Sequence, residues 1–215
     1  MASKRLILLA LLAAGSACAT TIKLNQLDGN LGESITFSDY GTVTTNWAGG
    51  IDATIAGYAR VLYCVQLAVN IYVPGTYDSA LDYADTASLQ RVGWLMQYHA
   101  PTTPAAGAGF QLALWDILQD GADGFDSGNV MTVTATPGDV VTAANYYESI
   151  SAGMSSMAAI IYDNKTLEGI AQQKLIGFWA TDQGPTPAPE PATFLLIFGG
   201  LALIGLSRLR RGTLR

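Results

Sequence analysis

Apolar and polar residues alternate through the first third of the chain, as they do along β-strands. Residues 34–38 and 42–44 carry β-branched and aromatic side chains and are flanked by Gly and Asn. Residues 58–73 form a longer apolar stretch, which the turn-forming pair Pro74-Gly75 ends. This pattern predicts β-structure over residues 20–79, with one long strand or two short ones in the longer stretch.

The hydrophobic period then changes to that of a helix. Asp85 or Thr86 is placed to cap a first helix, which His99 ends. A second helix is predicted over residues 106–119, because its apolar positions recur at helical spacing and Gly121 follows its C-terminal end.

The rest of the chain alternates short strands with one further helix. Residues 130–133 predict a strand and residues 139–157 a helix. Residues 159–162 and 174–179 predict two strands, which pair either around a turn at residues 163–165 or across a wider loop. The expected fold class is α+β, an antiparallel β-sandwich or barrel with helices inserted between strands.

The N-terminus has the three parts of a secretory signal peptide. Lys4 and Arg5 precede the apolar residues 6–14, and Ala17 and Ala19 place small side chains at a cleavage site. We therefore predict a signal peptide over residues 1–19 and its removal before the domain folds.

The C-terminus carries an uncharged apolar run, residues 192–206, which is just long enough to enter a bilayer. Arginines after it favour the cytoplasmic side, so the preceding chain is expected across the membrane. Two short motifs frame the run: Pro189, Glu190 and Pro191 before it, and Arg208, Arg210 and Arg211 after it.

This tail resembles the PEP-CTERM sorting signal of Gram-negative bacteria, in the order of its three parts and over about the last 27 residues. The resemblance implies that an exosortase-type protease reads Pro-Glu-Pro and processes the tail. The protein would then pass from the inner membrane to the cell surface or extracellular polysaccharide. An ordinary C-terminal anchor is the alternative. The expected organisation is signal peptide 1–19, extracellular domain 20–180, linker 181–188 and sorting signal 189–215 with its transmembrane helix.

Charge is distributed unevenly along the chain. All 17 acidic residues lie between Asp28 and Glu190, and few basic residues oppose them there. A strongly acidic domain argues against a nucleic-acid partner, which requires a basic patch. We predict no cofactor and no enzymatic turnover.

Cysteine usage points to a single exported thiol. Cleavage after Ala19 removes Cys18 and leaves only Cys64, so no internal disulfide can form. A lipoprotein cysteine at Cys18 is the alternative, although Gly15 stands where an apolar residue is usual. In an oxidising compartment a free thiol is a liability unless it is buried or chemically committed.

Two short segments resemble the two halves of the bacterial surface thioester domain. Tyr63-Cys64 lies in a predicted strand, and Gln111, Ala113 and Trp115 lie at the start of a predicted helix. The resemblance extends over about residues 58–119. It departs from the family at Phe110, where Thr is usual.

The resemblance implies an internal thioester between Cys64 and Gln111, formed with loss of ammonia and later able to acylate an amine. Tyr63, Ala113 and Trp115 would support the site, and helix-start amides near Gln111 would bind the oxyanion. The expected function is a covalent adhesin acting on an amine-bearing or polysaccharide surface of the biofilm matrix. The alternative is a non-catalytic matrix protein, in which Cys64 is a small buried hydrophobe.

An acidic loop and one histidine complete the candidates. Asp120, Asp123, Asp126 and Asn129 recur every three residues among glycines, and hard cations bind clustered oxygens. Their spacing does not match the EF-hand, so a solvated turn is expected and no metal site is assigned. His99 is expected to end its helix.

The two ends of the chain predict an export route that a fusion protein tests. A reporter placed after Gly184 should be active outside the inner membrane, because the arginines hold only the tail on the cytoplasmic side. Glu190→Ala should impair tail processing, as followed by the size of the mature protein. A reporter active only in the cytoplasm would contradict this topology, and unchanged processing would favour a plain anchor.

Overall fold

The computed structural model describes residues 20–83, 86–156 and 159–178. The predicted signal peptide, the linker and the sorting tail lie outside these residues. No helix within them is long and apolar enough to cross a membrane. The strands are β1 (Thr20–Asp39), β2 (Thr42–Ile55), β3 (Tyr58–Cys64), β4 (Gly75–Tyr83), β5 (Val130–Thr132), β6 (Ala159–Lys165) and β7 (Leu175–Phe178). The helices are α1 (Ala87–Tyr98), α2 (Pro104–Gln119) and α3 (Gly138–Ser151).

The strands form one antiparallel sheet in the order β2-β3-β7-β6-β4-β1-β5. The first half of β1 uses both of its edges, since Ile22 lies opposite Ile55 of β2 and also opposite Tyr77 of β4. The pairings therefore close into a ring of six strands, and β5 adds to the far end of β1. The α+β class expected from the sequence is confirmed.

Helix α2 is the centre of the molecule. Every residue from Gly107 to Ile117 is buried, and the helix packs against β1, β2 and α3. A helix that is covered on all sides is expected to be apolar all round, and within this buried stretch only Gln111 and Asp116 depart from that pattern. Phe37 of β1 stacks on Trp115 of α2, with ring centroids 5.3 Å apart. The position of α2 is thus fixed from several directions.

Several elements end where the sequence predicted, and one strand does not. Thr86 caps α1, as expected, because its Oγ accepts a hydrogen bond from the N–H of Leu89 at 3.3 Å. Strand β3, however, ends at Cys64, so the prediction of strand through residue 73 was wrong. Beyond it, the Gln66 side chain accepts the Lys174 N–H at 2.9 Å, and this side-chain contact replaces a continued ladder.

The connection between β6 and β7 is the wider of the two expected alternatives. Residues 163–165 continue β6 instead of forming a turn. Asn164 is fully buried, contacts the Ser79 hydroxyl and donates to the Gln173 carbonyl at 2.8 Å. Helix α3 is shorter than predicted. It ends at Ser151 because Gly153 has φ of +74°, a left-handed conformation that suits glycine and stops a helix.

The close approach of α2 to β1 makes Gly107 intolerant of substitution. A Cβ at Gly107 would lie 1.9 Å from the backbone oxygen of Leu31, so one backbone must move. Gly107→Ala should lower the free energy of unfolding by at least about 2 kcal/mol, measured by urea denaturation. Gly138→Ala is the matched control, because a Cβ at the start of α3 meets open space. An equal loss in both variants would contradict the tight α2–β1 contact.

Candidate functional site

Cys64 lies at the point where β3 loses one of its two neighbours. It is opposite Leu175 of β7, and the next residue, Val65, donates its N–H to the Lys174 carbonyl at 2.9 Å. Because antiparallel bonds alternate along a strand, the N–H and C=O of Cys64 point away from β7. On that other side the ladder with β2 has already stopped at the pair Ile51–Leu62.

The side chain of Gln111 takes the place of the missing strand. Its Oε1 accepts the Cys64 N–H at 3.0 Å, and its Nε2 donates to the Cys64 carbonyl at 2.8 Å. Gln111 is 1% exposed and lies in the middle of α2. The carboxamide and the cysteine, 47 residues apart in sequence, are therefore held side by side in the interior.

The expected supporting residues occupy different parts of this region. Trp115 lines the same cavity as Cys64, and Ala113 is fully buried in α2. The Tyr63 ring packs on the Phe110 ring, with centroids 4.8 Å apart. Phe110, which stands where the resembled family has Thr, thus fills the core beside Tyr63.

The amides at the start of α2 do not lie at Gln111, contrary to expectation. Gln111 lies in the middle of α2, where backbone N–H groups are bonded within the helix. The donor that reaches its Oε1 is the N–H of Cys64. This N–H is the group placed to polarise the Gln111 side-chain carbonyl.

A cavity of about 350 Å³ lies against Cys64. None of its described lining residues is charged. Neutral amides and aromatic rings provide its polar and stacking surface: Asn46, Gln66, Asn70, Gln173, Trp47 and Tyr72. Such a lining offers hydrogen bonds to an uncharged polar group and no counter-ion for a charged one.

Burial controls the state of the Cys64 thiol. Cys64 is 8% exposed, and burial raises the pKa of its thiol to about 12, although the Gln173 side chain partly offsets this by hydrogen bonding. At pH 8 only about one molecule in ten thousand would carry the thiolate. A free Cys64 is consequently protonated and slow to react with alkylating agents. An uncharged group formed at the sulfur, such as a thioester, would not carry the cost of burying a charge.

Gln173 is a residue of the candidate site that the sequence did not reveal. It contacts the thiol and the Gln66 carbonyl from the loop before β7. Gln173 is far from Cys64 in the sequence, and no motif or spacing connects the two. They meet because β7 pairs with β3 in the sheet. His99, by contrast, ends α1 as predicted, and its ring packs on Trp94 with centroids 4.7 Å apart.

The acidic loop is ordered differently from the sequence expectation. Asp120 accepts the backbone N–H groups of Asn129 and Val130 at 2.9 and 2.8 Å, so Asn129 serves as a donor to the loop. Asp126 is exposed. Asp120 and Asp123 approach a third carboxylate, Asp116, which the sequence pattern had assigned only to the helix.

Comparison with known proteins gives no relative for this chain. No protein-family model matches it, and no curated protein or solved structure is significantly similar to it.

The two hydrogen bonds predict that Gln111 is a structural brace as well as a candidate reactant. In a Cys64→Ala background, where no thioester can form, Gln111→Ala should lower the free energy of unfolding by about 2–4 kcal/mol. It leaves a buried N–H and C=O unpaired and opens a cavity. Urea denaturation measures the change.

Gln119→Ala is the matched control on the same helix. Gln119 also ties α2 to the end of β3, but through one partly buried bond to the Val65 carbonyl at 3.1 Å. Its loss should cost about 0.5–1.5 kcal/mol. A Gln111 variant no less stable than the Gln119 variant would show that the paired bonds to Cys64 are unimportant.

Proposed function

We propose that this protein is an exported surface protein whose domain stores an internal thioester between Cys64 and Gln111 and uses it to attach covalently to a target surface. The observation that supports this most directly is the buried pairing of the Gln111 carboxamide with Cys64, at 3.0 and 2.8 Å, beside a cavity. Pairing an amide with a thiol-bearing residue in a dry interior provides the proximity that the reaction needs.

Thioester formation balances without an external reagent. The Cys64 sulfur attacks the side-chain carbonyl carbon of Gln111, and a C–S bond forms as the C–N bond breaks. The thiol proton passes to the departing nitrogen, which leaves as ammonia. Negative charge developing on Oε1 is stabilised by the Cys64 N–H. Burial disfavours the thiolate yet leaves the uncharged thioester unaffected.

Attachment follows when an amine reaches the stored bond. The amine nitrogen attacks the thioester carbonyl, an amide forms on the Gln111 side chain, and the Cys64 thiol is released with the amine's proton. The cavity beside Cys64 supplies the entry route, and its neutral lining favours an uncharged amine. A primary amine on a protein or on an amino sugar of the biofilm matrix fits this chemistry.

Delivery to the surface belongs to the same proposal. The signal peptide would direct export, an exosortase-type protease would process the tail at Pro189-Glu190-Pro191, and the helix at residues 192–206 would hold the precursor in the inner membrane of a Gram-negative bacterium. We infer that the ring of six strands is a β-barrel, one of the two architectures expected from the sequence. Helix α2 would carry the reactive glutamine against this barrel.

A specific observation also favours the second candidate, a non-catalytic matrix protein. Both polar atoms of Gln111 already have partners in the backbone of Cys64, so the pair also works as a purely structural brace. The high pKa of the thiol keeps a free Cys64 inert. In that case the protein acts only through its processed tail.

Intact mass separates the two candidates. The exported protein should be lighter than its calculated mass by one ammonia. Methylamine should add to Gln111, which brings the mass to one CH₂ above the calculated value, and should free one thiol that becomes alkylated after unfolding. Iodoacetamide resistance alone decides nothing, because a buried protonated thiol resists it as well.

Three variants sharpen this experiment. Cys64→Ala and Gln111→Glu should each abolish methylamine addition, the second while keeping the side-chain length. Gln119→Ala, which loses a helix-to-strand amide contact without touching Cys64, should still add methylamine. A wild-type protein at full calculated mass, with a thiol that appears only on unfolding, would overturn the thioester proposal.

A further inference from the structure

The last turn of α2 buries a carboxylate that lacks hydrogen-bond partners. Asp116 is fully buried, and among the described residues no donor reaches either of its carboxylate oxygens. The Glu148 carboxyl and the Gly124 N–H both face Asp116, but neither makes a hydrogen bond of good geometry to it. Burying a carboxylate without a partner lowers the stability of the fold, so a compensating group is expected beside Asp116.

Further carboxylates surround Asp116 where a donor would be expected. One of its oxygens lies within 4.8 Å of one oxygen of Asp120 and one of Asp123. The carboxyl group of Glu148 in α3 also faces Asp116, and its Oε1 is buried without a hydrogen bond of good geometry. The three aspartates are called the carboxylate cluster below.

The available positive charge does not reach these oxygens. Arg91 of α1 is the cation that faces Glu148, but its guanidinium donates to the Glu148 backbone oxygen at 2.7 Å and to the Ser151 hydroxyl at 2.9 Å. The one arginine that faces Glu148 is therefore engaged with a backbone carbonyl and a hydroxyl.

The loop after α2 turns two of the carboxylates towards Gly128. A Cβ at Gly128 would lie 2.8 Å from Asp123 Oδ1 and 3.1 Å from Asp120 Oδ2, and the positive φ of +89° at this position also favours glycine. Asp120 is itself oriented by the N–H groups of Asn129 and Val130. The unpaired oxygens of Asp116 and the inward turn of the loop are separate observations that point to the same place.

We propose that Asp116, Asp120 and Asp123 bind a divalent cation and that the ion is calcium. One ligand oxygen from each aspartate lies within 4.8 Å of the other two, close enough for a single cation to contact all three. Calcium accepts the irregular oxygen sets that loops provide, whereas Mg²⁺ demands a smaller and more regular octahedron. Water would complete the coordination.

The ion has a structural consequence for α2. Asp116 follows Trp115 directly, and Asp120 caps the helix. A cation held by both residues and by Asp123 would join the end of α2 to the loop after it. The helix that carries Gln111 would then be held at its far end by metal coordination and at its middle by Cys64.

Calcium titration of the full-length protein tests the proposal. After dialysis against a chelator, calorimetry with CaCl₂ should show one ion bound per chain. The thermal midpoint should rise by about 5–10 °C at a calcium concentration about 100 times Kd. Asp123→Asn, at an exposed position that tolerates substitution, should weaken calcium binding at least tenfold. Asp126→Asn removes the same charge from the same loop outside the cluster and should leave the affinity unchanged.

Asp116→Asn distinguishes a cation site from two carboxyl groups that share a proton. This variant should raise the thermal midpoint of the calcium-free protein, because it removes a buried charge, and should abolish the response to calcium. A wild-type protein with no calcium response, equal weakening by Asp123→Asn and Asp126→Asn, or Mg²⁺ binding as tight as Ca²⁺ binding would each overturn the assignment.

Discussion

At the centre of this molecule, the side-chain amide of Gln111 pairs with the backbone of Cys64. Gln111 satisfies the N–H and C=O that Cys64 exposes where β3 runs out of neighbours. Because unpaired backbone groups are costly in a dry interior, this pairing fixes both where the strand ends and where the helix lies. The cavity beside the thiol and the surroundings of Trp115 depend on that placement, so the contact that stabilises the fold is also the one on which the proposed thioester would depend.

Small residues make this placement possible. Gly107 lets α2 approach Leu31 of β1, and a Cβ at Gly109 would lie 2.6 Å from the Ala143 side chain of α3. Close contact on both sides leaves the helix little freedom to rotate, because protein interiors are packed near the density of organic crystals. A reactive amide needs such rigidity, since a displacement of about 1 Å is enough to spoil an attack geometry.

The sequence predicted features that depend on neighbouring residues and short motifs. It did not predict contacts that depend on the order of the strands in the sheet. Thr86 was predicted because a cap acts over a single turn, and the meeting of Cys64 and Gln111 was expected from the motifs that carry them. The end of β3, the approach of Gln173 and the burial of Asp116 were not predicted. The first two depend on partners remote in sequence, and a buried aspartate in a helix leaves no periodic signal of its own.

The closed ring of strands also sets an order of assembly. Thr20, the first described residue, lies opposite Ser79, and Cys64 lies opposite Leu175, close to the C-terminal end of the described residues. The early strands therefore have closing partners that come late in the sequence, and the ring stays open until β7 pairs with β3. Non-local pairing of this kind makes folding slow. The surroundings of Cys64 are consequently among the last parts of the fold to form.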